Sequence, residues 1–198
     1  MGMKKIYEFI LWISLFLMVV VSIVFHNSKV KLEVENEKNI EICEKRIASL
    51  LTSNSIENRK IIPLSVQNIL TDNKKCILFA DTTILVLLSK PQCNKCQEKE
   101  LYRLIEFGSK EDIKIIGITT KSNMVLVAIQ KKLNRFDFPV FTVDEGIFYT
   151  NLAFDDEFPQ ILYIVNGIVH SAFKPIPMDD EFSENYYKYL LNKIKREL

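Results

Sequence analysis

The chain has 198 residues, which is enough for one domain of ordinary size and an additional segment. Its 26 basic and 25 acidic residues nearly cancel to a net charge of +1, so the composition does not favour nucleic-acid binding. Five glycines and six prolines argue against low-complexity or collagen-like segments, and four cysteines are too few for a disulfide-rich scaffold.

An apolar run from Ile6 to Phe25 is long enough to span the hydrocarbon core of a bilayer, which is about 30 Å thick. A cleaved signal peptide and a buried core helix are the alternatives. The end of the run (residues 20–25) lacks the small residues of a cleavage site, and no cysteine follows as a lipid-attachment site. We therefore expect residues 1–26 to be an uncleaved transmembrane anchor that contacts membrane lipid through residues 6–25.

Residues 27–62 are predicted to form a helical connector. Apolar residues recur there at spacings of three and four, which indicates a helix with one apolar stripe, ending near residues 53–55: Ile40, Cys43, Ile47, Leu50 and Leu51. Cys43 on that stripe is either a small packed hydrophobic residue or a disulfide partner of Cys76 or of another chain. Connectivity cannot be deduced from the sequence, so both interpretations stay open.

Residues 63–198 are predicted to form one α/β domain with a mixed sheet, because strand and helix patterns alternate along them. Strands are expected at 66–70, 75–79, 84–88, 112–120, 140–143, 160–165 and 168–173, and helices from the cysteine motif to near 108 and at 122–135, 146–154 and 180–198. Asn166-Gly167 between two apolar runs is a strong signal for a hairpin turn.

Cys93 and Cys96 form a C-x-x-C motif where an apolar strand, Ile84–Leu88, gives way to an amphipathic helix. Free N–H groups and the positive dipole end of a helix stabilise a thiolate, so the first cysteine could react near neutral pH. The second cysteine could then attack the resulting mixed disulfide and release the substrate. The motif therefore favours a redox-active pair.

Half of a zinc site and an inert structural disulfide are the alternative interpretations of this motif. A complete zinc site needs four ligands, and the other candidate ligands occur singly and without ligand spacing: Cys43, Cys76, His26 and His170. We therefore expect no metal site and no dissociable cofactor.

The order hairpin, strand, C-x-x-C, helix, strand, helix, strand, helix, proline, hairpin and helix resembles thioredoxin-like proteins. It looks most like the membrane-anchored TlpA/ResA-type thiol–disulfide oxidoreductases of bacteria. Residues 68–75 and 84–88 look like the entry hairpin and central strand of that group, and residues 138–140 and 158–164 look like its later strands. The resemblance implies a thioredoxin-like fold with a leading β-hairpin and an extra α/β unit, preceded by one transmembrane helix.

The resemblance also implies roles for four residues. Cys93 would be the attacking thiolate and Cys96 the resolving thiol. Pro159 would be a cis-proline facing them, and the backbone of Phe158 would contact an extended substrate segment by strand addition. A trans proline that merely opens a strand is the alternative.

Five positions depart from the family pattern: Gln92 where Trp is usual, Asn94-Lys95 where a dipeptide with Pro is common, Lys99 where an acid is frequent, and Leu87 where ordinary thioredoxins bury Asp. Glu98 and Glu100 flank Lys99 but are out of register. The usual proton acceptor therefore cannot be transferred to this chain, and neither can a redox potential.

We expect a membrane-anchored, thioredoxin-like oxidoreductase that exchanges disulfides with other proteins and receives or delivers electrons through a further redox partner. Lysines flank both ends of the apolar run, so charge does not decide its orientation. A very short N-terminal tail is typical of a signal anchor, and disulfide chemistry suits the periplasm or cell exterior. We therefore expect a single-pass protein of the cytoplasmic (inner) membrane. The alternative is a non-catalytic binding module in which Cys93–Cys96 is a structural disulfide.

Overall fold

The structure, a computed structural model, describes residues 3–71, 73–89, 94–133 and 136–197. It consists of two compact units that are divided between Lys45 and Arg46. Helix α1 (Met3–Asn54) runs through the first unit and supplies residues 46–54 to the second. Residues 3–54 of the predicted anchor (1–26) and connector (27–62) are therefore one continuous helix, which ends where Ser53-Asn54-Ser55 was expected to end it.

In the first unit, α1 is exposed at every side chain that the structure describes. Trp12, Phe16 and Phe25 are 69%, 70% and 77% exposed, so the apolar run is not a buried core helix. By length and composition this helix could cross a membrane, although a signal sequence would have the same properties. Cys43 is exposed and free, so the prediction that it packs as a small hydrophobic residue is wrong: α1 offers it no neighbour to pack against within this unit.

The second unit is built on a seven-stranded mixed sheet in the order β2-β1-β5-β4-β3-β6-β7. The strands are β1 (Leu64–Asn68), β2 (Lys74–Ile77), β3 (Thr83–Leu87), β4 (Lys114–Thr120), β5 (Val140–Val143), β6 (Gln160–Val165) and β7 (Ile168–Phe173). The central strands β3, β4 and β5 are parallel, and antiparallel hairpins extend the sheet on both sides.

Helices cover both faces of this sheet. They are α2 (Asn94–Lys110), α3 (Met124–Leu133), α4 (Glu145–Ile147, continued by the π-helical turn Phe148–Leu152) and α5 (Asp180–Glu197). Central strand β3 has apolar side chains buried on both faces, with Leu85 and Leu87 in one core and Ile84 and Val86 in the other. Its unbroken apolar sequence therefore reflects a strand that is covered on both sides.

The observed boundaries agree closely with the predicted ones, and the differences have local causes. Strand β4 begins at Lys114 rather than at residue 112, because Asp112 has a positive φ of 51° that an extended strand does not allow. The predicted end of the helix at residues 134–135 lies outside the described residues. Asn166 and Gly167 have φ values of 51° and 75°, as the predicted two-residue hairpin turn requires.

Candidate functional site

Cys96 lies in the first turn of α2, close after the carboxyl end of buried strand β3. It is half-buried and takes part in a disulfide bond, whereas Cys76 on edge strand β2 is an exposed free thiol, like Cys43. Cys93, the predicted attacking residue, lies outside the described residues together with the turn that precedes it. The pairing of Cys93 with Cys96 stays a prediction.

The end of β3 is tied to its neighbour just before this turn. The side-chain amide of Asn123 donates hydrogen bonds to Ser89 Oγ at 3.0 Å and to Thr120 Oγ1 at 2.9 Å. Ser89 follows β3 and Thr120 ends β4, so one amide joins the carboxyl ends of two parallel strands. The segment that leads to the cysteine motif therefore starts from a fixed point.

A cavity of about 290 Å³ opens beside Cys96. Its described lining comes from α2, from the loop before β6, from the loop between β7 and α5, and from the first turn of α5. Phe158 and Pro159 line it together with Cys96, so the structure brings together the three predicted site residues that it describes. The peptide bond between Phe158 and Pro159 is cis, as the family resemblance implies.

Gln160 holds the loop before β6, which we call the proline loop (residues 154–159). Its side-chain amide donates to the carbonyl oxygens of Asp155 at 2.6 Å and Glu157 at 2.9 Å, and its Oε1 accepts from the backbone N–H of Phe154 at 3.0 Å. Gln160 is fully buried. Since it is also the first residue of β6, it joins the proline loop to the sheet.

Lys174 adds a second tie to the proline loop. Its ammonium lies 2.9 Å from the Asp155 carboxylate and 3.2 Å from that of Glu157. The lysine and Asp155 side chains are only 12% and 15% exposed, so this pair is shielded from solvent more than an ordinary surface ion pair. Lys174 directly follows β7, so the proline loop is also tied to the end of that strand.

The other loop of the cavity connects β7 to α5, and we call it the β7–α5 loop (residues 174–179). Arg46 from α1 makes a bidentate pair with Asp179, with both N–O distances at 2.7 Å. Ser49, one turn further along α1, donates through Oγ to the carbonyl oxygen of Lys174 at 2.6 Å. The last turns of α1 therefore contact both ends of this loop.

A buried carboxylate completes the α2 side of the cavity. Glu100 is 3% exposed, accepts a hydrogen bond from the Tyr187 hydroxyl at 2.8 Å and pairs with Arg103 at 3.3 Å. Burial raises the pKa of the Glu100 carboxyl, and hydrogen bonds from Tyr187 and Ser183 and the charge of Arg103 oppose that rise. Side chains four residues apart share one helix face, so Glu100 lies one turn beyond Cys96, and both line the cavity.

Comparison with known proteins identifies the fold. No protein-family model and no curated protein matches the chain. It is similar to the thioredoxin domain of a thiol–disulfide oxidoreductase from Bacteroides vulgatus, with a TM-score of 0.51 and 13% identity over 67% of this chain and 96% of that chain. A thiol–disulfide oxidoreductase from Bacteroides fragilis has a TM-score of 0.50 and 13% identity over 67% and 99% of the two chains. This chain has the thioredoxin-like fold.

A third similar structure is a thiol:disulfide interchange protein from Bacteroides sp., with a TM-score of 0.50 and 12% identity over 67% of this chain and 89% of that chain. At these identities the likeness concerns the fold. The predicted fold class is confirmed: a mixed sheet, a leading β-hairpin and an α/β unit between the cysteine helix and the proline strand.

Leu87 stands where ordinary thioredoxins bury Asp, and its side chain is fully buried in β3. This part of the core is therefore apolar at that position. Glu100 is one position out of register with the acidic residue of the family, so the family resemblance does not point to it. The spacing of four residues from Cys96 was the signal that could have found it. Lys99, in the family's acidic position, is exposed and pairs with Asp180 at 2.5 Å.

The described residues contain no cluster of three or more side chains that could hold a metal ion. What the described site offers instead is a sulfur, a buried carboxylate and a cavity beside the proline loop. These are the elements that thiol–disulfide exchange uses: a nucleophilic sulfur, a group that can take up a proton, and space for a substrate.

Proposed function

We propose that this protein is a membrane-anchored thiol–disulfide oxidoreductase that exchanges disulfides with protein substrates through Cys93 and Cys96. The observation that carries the proposal is the cavity that Cys96 lines together with Phe158 and Pro159. The thioredoxin-like fold and the named activities of similar structures support it. An exposed apolar helix near the N-terminus supports an anchor over residues 1–26, with the catalytic domain on the non-cytoplasmic side.

The proposed reaction starts from the reduced pair. The Cys93 thiolate attacks a substrate disulfide, forms a mixed disulfide and releases one substrate thiolate, which takes up a proton. The Cys96 thiolate then attacks the Cys93 sulfur and releases the second substrate thiol, leaving a Cys93–Cys96 disulfide. Two electrons and two protons pass to the substrate in total. A dithiol protein partner restores the reduced pair, and the same steps in reverse oxidise a substrate.

Glu100 is the proposed proton acceptor for Cys96. The resolving sulfur must lose its proton before it attacks, and Glu100 lies one helix turn away and lines the same cavity. Burial raises the pKa of Glu100, and a carboxylate with a raised pKa is a stronger base. Hydrogen bonds from Tyr187 and Arg103 keep the carboxyl in place.

The proline loop is the proposed contact for the substrate backbone. Phe158 and Pro159 line the cavity beside Cys96, so an extended segment bound there passes close to the reacting sulfur. Backbone hydrogen bonds of the strand-addition type recognise a chain without reading its sequence. Such a contact suits a protein that must accept more than one substrate.

Trapping of mixed disulfides tests the assignment of the two cysteines. Cys96→Ser removes the resolving sulfur, so substrates should accumulate as mixed disulfides on Cys93 in cells, detected by non-reducing electrophoresis. Cys93→Ser should trap none. Cys76→Ser is the matched control, because Cys76 is an exposed thiol that does not line the cavity, and it should exchange at the wild-type rate.

A redox titration separates this function from the alternative, a binding module with a structural disulfide. A structural disulfide lies below about −300 mV, whereas an exchanging pair has a higher potential. A potential below that value, together with no trapped species in Cys96→Ser, would contradict the proposed function.

A further inference from the structure

The β7–α5 loop lies between α1 and the cavity. Four of its six residues line the cavity: Pro175, Ile176, Pro177 and Met178. These four residues are all apolar, and with Phe158 they give the cavity an apolar wall. The residues at the two ends of the loop, Lys174 and Asp179, are the ones that α1 contacts through Ser49 and Arg46.

The conformation of the loop needs support from outside. Met178 has a φ of 67°, which is unfavourable for a residue with a side chain. Its side chain is 91% exposed, so packing does not offset this cost. The next residue, Asp179, accepts two hydrogen bonds from Arg46 as one bidentate pair, and this pair holds the chain at this point. Asp179 also accepts a hydrogen bond from the backbone N–H of Phe182 at 3.1 Å, so it fixes the start of α5 as well.

Two helices hold neighbouring carboxylates at this place. Arg46 of α1 pairs with Asp179, while Lys99 and Arg103 of α2 pair with Asp180 at 2.5 and 2.6 Å. Because α2 also carries Cys96, these ion pairs fix the end of the loop relative to the resolving sulfur. Arg46 supplies the support from the other side, across 133 residues of sequence.

We propose that Arg46 is a positioning residue for substrate binding, which holds the β7–α5 loop where it forms the apolar wall of the exchange cavity. This inference rests on the proposed function. The wall favours substrates with an apolar side chain next to the reacting cysteine. Loss of Arg46 weakens substrate binding and leaves the sulfur chemistry intact, because the loop carries neither cysteine. An ion pair that only stabilises the fold would change stability and leave substrate binding as it is.

Single-turnover exchange with a matched pair of substrates tests this role. The full chain in detergent micelles is reduced with dithiothreitol, freed of it, and mixed with excess disulfide-linked peptide dimer that becomes fluorescent on reduction. One peptide has Leu on both sides of its cysteine, and the other has Ser. The rate as a function of peptide concentration gives a half-saturating concentration and a maximal rate for each substrate.

Arg46→Gln should raise the half-saturating concentration of the Leu peptide about tenfold at an unchanged maximal rate, since displacement of a binding wall far from the chemistry has effects of this size or larger. The Ser peptide should be affected much less. Lys45→Gln is the matched control: it removes the neighbouring basic residue, whose partner Glu41 lies on the same exposed helix surface, and both parameters should stay at wild-type values.

Arg46→Lys keeps the charge but loses the bidentate fork, so it should give an intermediate half-saturating concentration. If Arg46→Gln does not fold, this variant alone tests whether Arg46 affects substrate binding. Equal half-saturating concentrations for wild type and the folded Arg46 variants would overturn the inference. A wild-type protein that reduces neither peptide would contradict the proposed function instead.

Discussion

Two loops line the cavity beside Cys96, and they are held in different ways. The proline loop is held by Gln160, the residue that follows it, and by Lys174. The β7–α5 loop is held by Arg46 and Ser49, which are more than a hundred residues away in the sequence. The first loop is therefore tied to the start of β6 and to Lys174, the residue that follows β7 and begins the second loop. The second loop is tied in addition to the last turns of α1.

The two ties also differ in their access to water. Gln160 is fully buried, and its side-chain amide makes hydrogen bonds to three backbone groups of the proline loop. The side chains of Arg46 and Asp179 are 30% and 11% exposed, so water can reach them when the pair is broken. Removal of a buried hydrogen-bonding side chain lowers stability more than removal of a partly exposed ion pair. The two loops should therefore respond differently to substitution.

Gln160→Leu should have the largest effect on stability. It removes all three hydrogen bonds between the buried amide and the half-buried backbone of the proline loop, which should lower the free energy of unfolding by about 3 kcal/mol. Urea unfolding of the full chain measures this. Gln130→Leu is the matched control, since Gln130 is also buried but makes one side-chain hydrogen bond, to Gln97 at 3.1 Å. An equal loss in both variants would refute the comparison.

The contrast between the loops also explains which features of the structure the sequence could predict. The sequence predicts the bounds of β6 and β7, because apolar runs and the Asn-Gly turn between them are local signals. For the cis bond at Pro159 it relies on the family resemblance, because Phe-Pro by itself allows either isomer. It could not predict the contact of Arg46 with Asp179. That contact depends on how α1 packs against α5, and no pattern within either helix encodes it.

The acidic residues show the same limit in another form. The spacing of Glu100 from Cys96 is local and could have been used, but burial decides whether a glutamate at that position matters. Glu98 and Glu100 have the same chemistry in the sequence, yet Glu98 is exposed and Glu100 is buried against Tyr187. Burial follows from the packing of α2 on α5, which is a tertiary property.

Asp179→Asn should have an intermediate effect. The amide oxygen can still accept the hydrogen bond from Phe182, but the charge that pairs with Arg46 is lost, so the free energy of unfolding at pH 7 should fall by about 1 kcal/mol. Glu181→Gln removes the more exposed partner of Arg46 and should change stability little. If Glu181→Gln lowered the free energy of unfolding as much as Asp179→Asn, the negative charge near Arg46, rather than the bidentate pair, would stabilise this region.

The pH dependence of this difference sharpens the test. The hydrogen bonds from Arg46 lower the pKa of Asp179 below its ordinary value of 3.8. The stabilisation is therefore complete above the ordinary value and is lost as the pH falls through the lowered value. Unfolding free energies of wild type and Asp179→Asn should converge below pH ~4. A difference that persists unchanged in acid would exclude the ion pair as its cause.

Glu100→Gln should have the smallest effect on stability, because it changes the α2 side of the cavity and leaves both loops in place. Burial raises the pKa of Glu100 above 4.5, so ionisation opposes folding increasingly as the pH rises from that value to the raised one. The amide avoids this cost and still accepts from Tyr187. The variant should therefore match wild type in acid and equal or exceed it at neutral pH, by less than about 1 kcal/mol.

The same variant separates a chemical role of Glu100 from a structural one. If Glu100 accepts the proton of Cys96, Glu100→Gln should prolong the lifetime of the mixed disulfide about tenfold or more, although its stability does not fall. Stopped-flow quenching with acid followed by mass spectrometry measures that lifetime. Glu98→Gln is the control, because Glu98 is exposed on the same helix and does not line the cavity. An unchanged lifetime in Glu100→Gln, or an equal change in Glu98→Gln, would leave Cys96 to lose its proton to water and remove Glu100 from the mechanism.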